Sequence, residues 1–202
     1  MKYTWLIDSG HGGIYSDGTY PTAPDKMFQH GPDKVFYEGQ FNRTVKHGLI
    51  TELFRLGKTD KVVDICATNI DLTLNARCDI VNSLDNAYDD CLLISLHSNA
   101  GGGTGIEVFA HPSSSRSQNL GNIFGGVIKE GFPEVKFRSG DGQLCKTANF
   151  QMLRETHCPA ILPEFMFFDH YEDYIKLTDP LFIKRYVDNL VQFIMEIEES
   201  QI

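Results

Sequence analysis

Two histidines in this chain directly follow apolar runs: His11 in Asp8-Ser9-Gly10-His11-Gly12-Gly13, and His97 in Ile94-Ser95-Leu96-His97-Ser98-Asn99. A strand end in an open α/β sheet is a common place for a site, because the strand holds the side chain rigidly while the loop beyond leaves room for a ligand. One histidine so placed reads as a hydrogen-bonded surface residue; two in the same setting favour a shared site. Two carboxylates are candidates to join them. Glu38 stands where a helical pattern begins, after a long loop that follows His11, although the helix dipole alone also favours an acid in a first turn. Glu164 lies between Ala-Ile-Leu-Pro and Phe-Met-Phe-Phe, where a carboxylate is costly unless it is salt-bridged, metal-linked or protonated. Two imidazoles and a carboxylate leave an open position on Zn²⁺, the ligand count of a hydrolytic centre, and a second carboxylate could serve as base to a water held there. These residues are far apart in sequence, unlike a compact His-Glu-x-x-His helix, so only the fold can bring them together.

The elements that must do so can be read from the apolar periods. Tyr3–Ile7 is a short buried strand that delivers its end to His11. Residues 14–37 are rich in Gly, Pro and Asp without either period and read as a long surface loop, of the kind that is usually functional or mobile. Phe41, Val45, Leu49, Leu53 and Leu56 set a first helix from about Glu38 to Leu56, closed by Gly57. Val62–Cys66 suits a strand, and Leu74, Cys78, Val81 and Leu84 mark a second helix. Cys91–Leu96 is nearly continuous in apolar residues, as for a strand covered on both faces, and is expected to end at His97. Ile106–Ala110 alternates as a half-exposed strand, and Leu120, Phe124, Val127 and Ile128 give a third helix stopped by Gly131 and Pro133. Pro159–Phe165 reads as another strand with Pro163 at its end, where a missing amide donor does least harm. Asp179-Pro180 opens a last helix through about Glu198. Strands alternating with helices, without repeat or linker, indicate one α/β domain over residues 1–202.

Composition narrows the class. With 42% hydrophobic and 22% charged residues the chain is neither disordered nor membrane-spanning, and it reads as a soluble globular protein. A net charge of −9, with no basic cluster, disfavours nucleic acid and anionic lipid as partners. The N-terminal apolar run meets Asp8 too soon for a signal-peptide core. Five cysteines, an odd and widely spaced set, read as reduced core residues of a protein made in the cytoplasm.

Ile7–Gly13, Glu38 with Phe41-Asn42, Ala76-Arg77 with Val81-Asn82, Leu93–Ala100, Gly105–Phe109, and Leu153-Arg154 followed by Pro159–Phe165 resemble, in order, the blocks of the zinc-dependent N-acetylmuramoyl-L-alanine amidases of the amidase-3 type. The resemblance covers roughly residues 3–170. It implies a mixed, mostly parallel sheet of about six strands flanked by helices on both faces, with His11, Glu38 and His97 as zinc ligands and Glu164 as the catalytic carboxylate. Two positions depart from the pattern: Thr68-Asn69 stands where Thr-Arg is usual, and Pro163 replaces the usual apolar or small residue before the glutamate.

The function so implied is hydrolysis of the peptidoglycan amide between N-acetylmuramic acid and the L-alanine of the stem peptide. The substrate partner is peptidoglycan, the cofactor Zn²⁺ and the expected state a monomer. Asn99 could hydrogen-bond substrate or serve simply as a turn residue. The remaining histidines, His30, His47, His111, His157 and His170, read as surface or loop residues. A bare catalytic domain without a leader fits a phage or prophage endolysin that reaches the wall after release. A related zinc hydrolase acting on a small acylated amino acid is the rival enzyme, separated by whether the site is a closed pocket or an open groove; an inactive wall-binding domain is the rival from another class.

Overall fold

Alternate residues of the central strands face opposite ways, and each set buries a different core. The computed structural model, which describes residues 1–140 and 142–200, consists of β1 (Thr4–Ser9), β2 (Met27–Gly31), β3 (Lys34–Tyr37), α1 (Glu38–Arg55), β4 (Val62–Asp64), α2 (Leu74–Ala87) and β5 (Cys91–Asn99), followed by β6 (Glu107–Ala110), α3 (Ser115–Gly131), β7 (Lys146–Thr147), α4 (Gln151–Arg154), β8 (Ala160–Phe167), α5 (Tyr171–Leu177) and α6 (Pro180–Glu199). Six strands form one sheet in the order β4-β1-β5-β8-β6-β7. All neighbours run parallel except β6 and β8, which are antiparallel.

Trp5 and Ile7 of β1, with Leu92, Ile94 and Leu96 of β5, pack under α1, α3 and α6 through Val45, Leu49, Phe124, Leu190 and Phe193. Leu6 and Leu93 turn to the other face and meet Cys78 and Val81 of α2 and Met152 and Leu153 of α4. The expected α/β sheet with helices on both faces is therefore the observed one. All five cysteines are free and buried, and burial pushes the Cys145 and Cys158 thiols up to about 12. No helix among the described residues is long and apolar enough to cross a membrane.

Four expectations need correction. The stretch 14–37 is not wholly loop: β2 and β3 pair as an antiparallel hairpin, held to the domain by Phe36 stacked on Phe168 and by His30 Nε2 at 2.8 Å from the Phe168 carbonyl. β5 does not stop at His97 but continues to Asn99, because β8 runs beside it and pairs Glu164 with His97 and Phe167 with Asn99. β6 is not half-exposed, since the polar position that should face water, Glu107, is buried among Arg138, Lys146 and Asn99. Pro163 lies inside β8, opposite Val108. There the pairing with β5 passes from Ile161 to Glu164, so the missing amide falls in a gap of the ladder. The short elements β7, α4 and α5 carry no period long enough to be read from sequence.

One buried ion pair ties the sheet to the loop that carries His11. Arg77 of α2 donates to Asp8 Oδ1 at 2.5 Å and to the Ser9 carbonyl at 2.8 Å, and Ser95 donates to Asp8 Oδ2 at 2.6 Å. Burial alone would raise the Asp8 pKa, but the Arg77 charge and the Ser95 hydrogen bond hold it below the ordinary carboxylate value. Removing one partner of a buried pair leaves a charge uncompensated, so Arg77→Met should destabilise the fold by about 3–5 kcal/mol and lower Tm by roughly 10 °C. A depressed pKa stabilises above the unfolded value, and that stabilisation is lost as pH falls through the folded one. The gap between wild type and variant should therefore narrow below about pH 4, as thermal melts across the acid range would show; equal melting at neutral pH would contradict the assignment.

Candidate metal centre

His11 lies two residues beyond the end of β1, with a backbone φ of 63°, in the left-handed region that a residue with a side chain enters rarely and at a cost. Its carbonyl is gripped from two sides, by Arg43 Nη1 at 2.7 Å and Arg77 Nη2 at 3.1 Å. Arg43 in turn lies on the face of α1 that carries Gly39, one turn earlier, whose carbonyl it also reaches at 3.0 Å. Two glycines make the close approach possible. A Cβ at Gly10 would overlap the His97 ring, and one at Gly39 would strike the Gly12 carbonyl oxygen.

Glu38 is the first residue of α1, and its side chain is 1% exposed. No side chain caps this helix end; the Glu38 amide donates instead to the Lys26 carbonyl at 2.9 Å and the Gly39 amide to Tyr20 Oη at 2.9 Å. Glu38 Oε1 lies 3.3 Å from His11 Nε2 and 3.0 Å from His97 Nδ1, and it accepts from the Ser98 amide at 3.3 Å. Burial opposes the charge of Glu38, but the His11 and His97 imidazoles beside it overcome that cost and keep the carboxyl well below its usual range. In the same way burial would lower the His97 pKa, and Glu38 raises it.

Glu164 is brought beside this trio by the register of β5 and β8, which sets it next to His97. It faces the hollow that His11 and His97 also line. Burial pushes its pKa up to about 7, opposed by the charge of His97 and reinforced by that of Glu38, and its Oε2 has no hydrogen-bond partner. A carboxyl poised there can hold or release a proton near neutrality. Asn99 joins a different group: its amide donates to Glu107 Oε2 at 3.1 Å, and its carbonyl oxygen accepts from the Ala100 amide at 2.8 Å.

The residues fit a metal ion. One ligand atom from each of His11, Glu38 and His97 lies within 4.8 Å of the others. His11 Nε2 and Glu38 Oε2 are both buried without a hydrogen-bond partner, a state that polar atoms seldom keep. Imidazole and carboxylate together suit zinc. Two hollows meet at this point and share His11, Leu74, His97 and Met152. One continues past Asp71, Thr73 and Arg77, the other past Lys26, Phe150 and Glu164, so the histidines stand in the floor of a groove. The hairpin is anchored on Phe168 and Tyr174.

Arg43, Arg77 and Glu107 were not identified as functional from sequence. The available signal was a charge set inside an apolar helical period, as Arg43 is between Phe41 and Val45. The other histidines stay apart from the centre; His47 and His157 are exposed, and His30 docks the hairpin.

Comparison with known proteins gives the family. The family model described as N-acetylmuramoyl-L-alanine amidase, Amidase_3, matches residues 6–196. N-acetylmuramoyl-L-alanine amidase CwlM of Bacillus licheniformis is 29% identical over 181 residues, which are 89% of this chain and 62% of that protein. The sporulation-specific N-acetylmuramoyl-L-alanine amidase of Bacillus subtilis (strain 168) is 37% identical over 115 residues, 56% of this chain and 41% of that one. The chain thus spans less than two thirds of these relatives. The crystal structure of N-acetylmuramoyl-L-alanine amidase from Clostridium difficile 630 superimposes with a TM-score of 0.78 at 25% identity, covering 98% of both chains. A model match over nearly the whole domain, joined to this sheet order and this cluster, assigns the chain to the Amidase_3 family of N-acetylmuramoyl-L-alanine amidases.

Proposed function

We propose that this chain is a zinc-dependent peptidoglycan hydrolase that cleaves the amide between the lactyl group of N-acetylmuramic acid and L-alanine. The observation that carries the reading is the convergence of His11, Glu38 and His97 on one point in the floor of a groove, with Glu164 unpartnered beside it. His11, Glu38 and His97 would hold the ion. When bound, zinc supplies Lewis-acid polarisation of the scissile carbonyl and lowers the pKa of a water toward ~7.

Glu164 takes the proton of the attacking water on its free Oε2 and returns it to the departing alanine amine, two transfers that a carboxyl near neutrality can make in turn. Arg43 and Arg77 hold the His11 backbone so that its imidazole meets Glu38 without searching. A groove that runs from one hollow into the next past Leu74, Phe150 and Met152 suits a polymer, whereas a small acylated amino acid would call for a single closed pocket. That feature favours the cell-wall substrate over the rival enzyme, and the intact set of four side chains disfavours an inactive wall-binding domain.

Two measurements test the reading. Purified protein should hold about one zinc per chain, and His11→Ala or His97→Ala should lose most of it. Because a protonated imidazole cannot bind the ion, occupancy should also fall on acidification. Full occupancy in both variants would refute the ligand assignment. Glu164→Gln should keep zinc and fold while kcat on muropeptides drops ~10²-fold or more; a folded, zinc-loaded variant with near wild-type turnover would show that Glu164 is not the base.

A further inference from the structure

Lys26 stands on the groove wall and has no task in the reaction just described. It lines the hollow of His11, His97 and Glu164, and also the next hollow along, formed with Asp25, Phe28, Ala100 and Asp169. Its backbone is in the left-handed region at φ 57°, an uncommon state for a residue with a side chain. Two hydrogen bonds fix it there, since its carbonyl accepts from Tyr20 Oη at 3.0 Å and from the Glu38 amide at 2.9 Å. Lys26 is therefore pinned to the first turn of α1 and is not carried at the tip of a free loop.

The ammonium itself is half exposed and lies 4.0 Å from Glu38 Oε2, outside hydrogen-bond reach. Arg77, the cation on the opposite stretch of the groove, is neutralised by Asp8. Once Glu38 shares its charge with a divalent cation, the Lys26 side chain borders a positive centre, and an anion brought by the ligand is the natural counter-charge.

We propose that Lys26 forms an anion subsite that reads a carboxylate of the stem peptide close to the scissile amide, an inference that rests on the amidase reading above. An extended chain advances ~3.5 Å per residue, so a carboxylate on the residue after L-alanine lies about 7 Å from the amide that is cut. In peptidoglycan that residue is a γ-linked D-glutamate whose α-carboxyl is either free or amidated. A lysine makes a charge-assisted hydrogen bond to the free acid and only an ordinary one to the carboxamide. Lys26 thereby makes the enzyme selective for stems whose second residue is not amidated.

The test is calorimetric binding of N-acetylmuramoyl-L-alanyl-γ-D-glutamate and of its α-amide to zinc-loaded Glu164→Gln protein, which binds without turning over. The acid should bind about tenfold more tightly than the amide. Adding Lys26→Met should bring that ratio close to one by weakening the acid, and Lys26→Arg should restore most of it. Equal affinities in the parent, binding by neither ligand, or an equal loss of both in Lys26→Met would overturn the proposal; the last result would place the ammonium at the reacting carbonyl instead. Cleavage by the wild-type protein is read separately. If the acid binds selectively and neither compound is cut, the amidase reading fails and the subsite stands.

Discussion

Glu38 is a carboxylate taken almost wholly out of water at the first turn of α1, and desolvation alone would neutralise it. Its charge survives because His11, His97 and the Ser98 amide all converge on one of its oxygens. That requirement propagates outward. His97 must sit in a strand whose register with β8 is fixed, His11 must adopt a strained backbone, and Gly10 and Gly39 must lack side chains for the three groups to approach. The buried Asp8–Arg77 pair and Arg43 then hold the His11 loop against relaxation. The residues so gathered could hold a metal ion, which would answer the charge and the unpartnered atoms together.

The other carboxylate has the opposite environment. Glu164 is half-buried without a partner for Oε2, and desolvation raises its pKa to about 7 while that of Glu38 falls. Two acids with pKa values driven apart by their surroundings can divide the work of holding charge and moving protons. Glu107 pairs with Glu164 across β6 and β8, but Arg138, Lys146 and Asn99 tie it down, which keeps a third carboxylate out of the reacting groove.

Much of this was legible in the sequence. Short apolar runs and helical stripes located the main strands and the long helices, and Asp179 does cap α6, accepting from the Leu181 amide at 2.9 Å. His11 and Glu38 were findable because each stands at the edge of a strong pattern. What stayed hidden depends on neighbours. Ser98 and Asn99 look like loop residues until β8 is laid beside them, Glu107 looks exposed until Arg138 and Lys146 cover it, and Pro163 looks like a terminus until the gap in the ladder is seen. The hairpin of β2 and β3 lacks alternation because it packs on the domain mainly through Phe36 and His30.

The central claim, that this centre hydrolyses the amide joining the sugar's lactyl group to L-alanine, is tested most directly by mass spectrometry of purified muropeptides digested in heavy-oxygen water. The account predicts a peptide that begins with a free L-alanine amine and a sugar fragment whose lactyl carboxylate carries one heavy oxygen. Heavy oxygen found at a glycosidic carbon or at any other peptide bond, or muropeptides left intact by zinc-loaded protein, would contradict it.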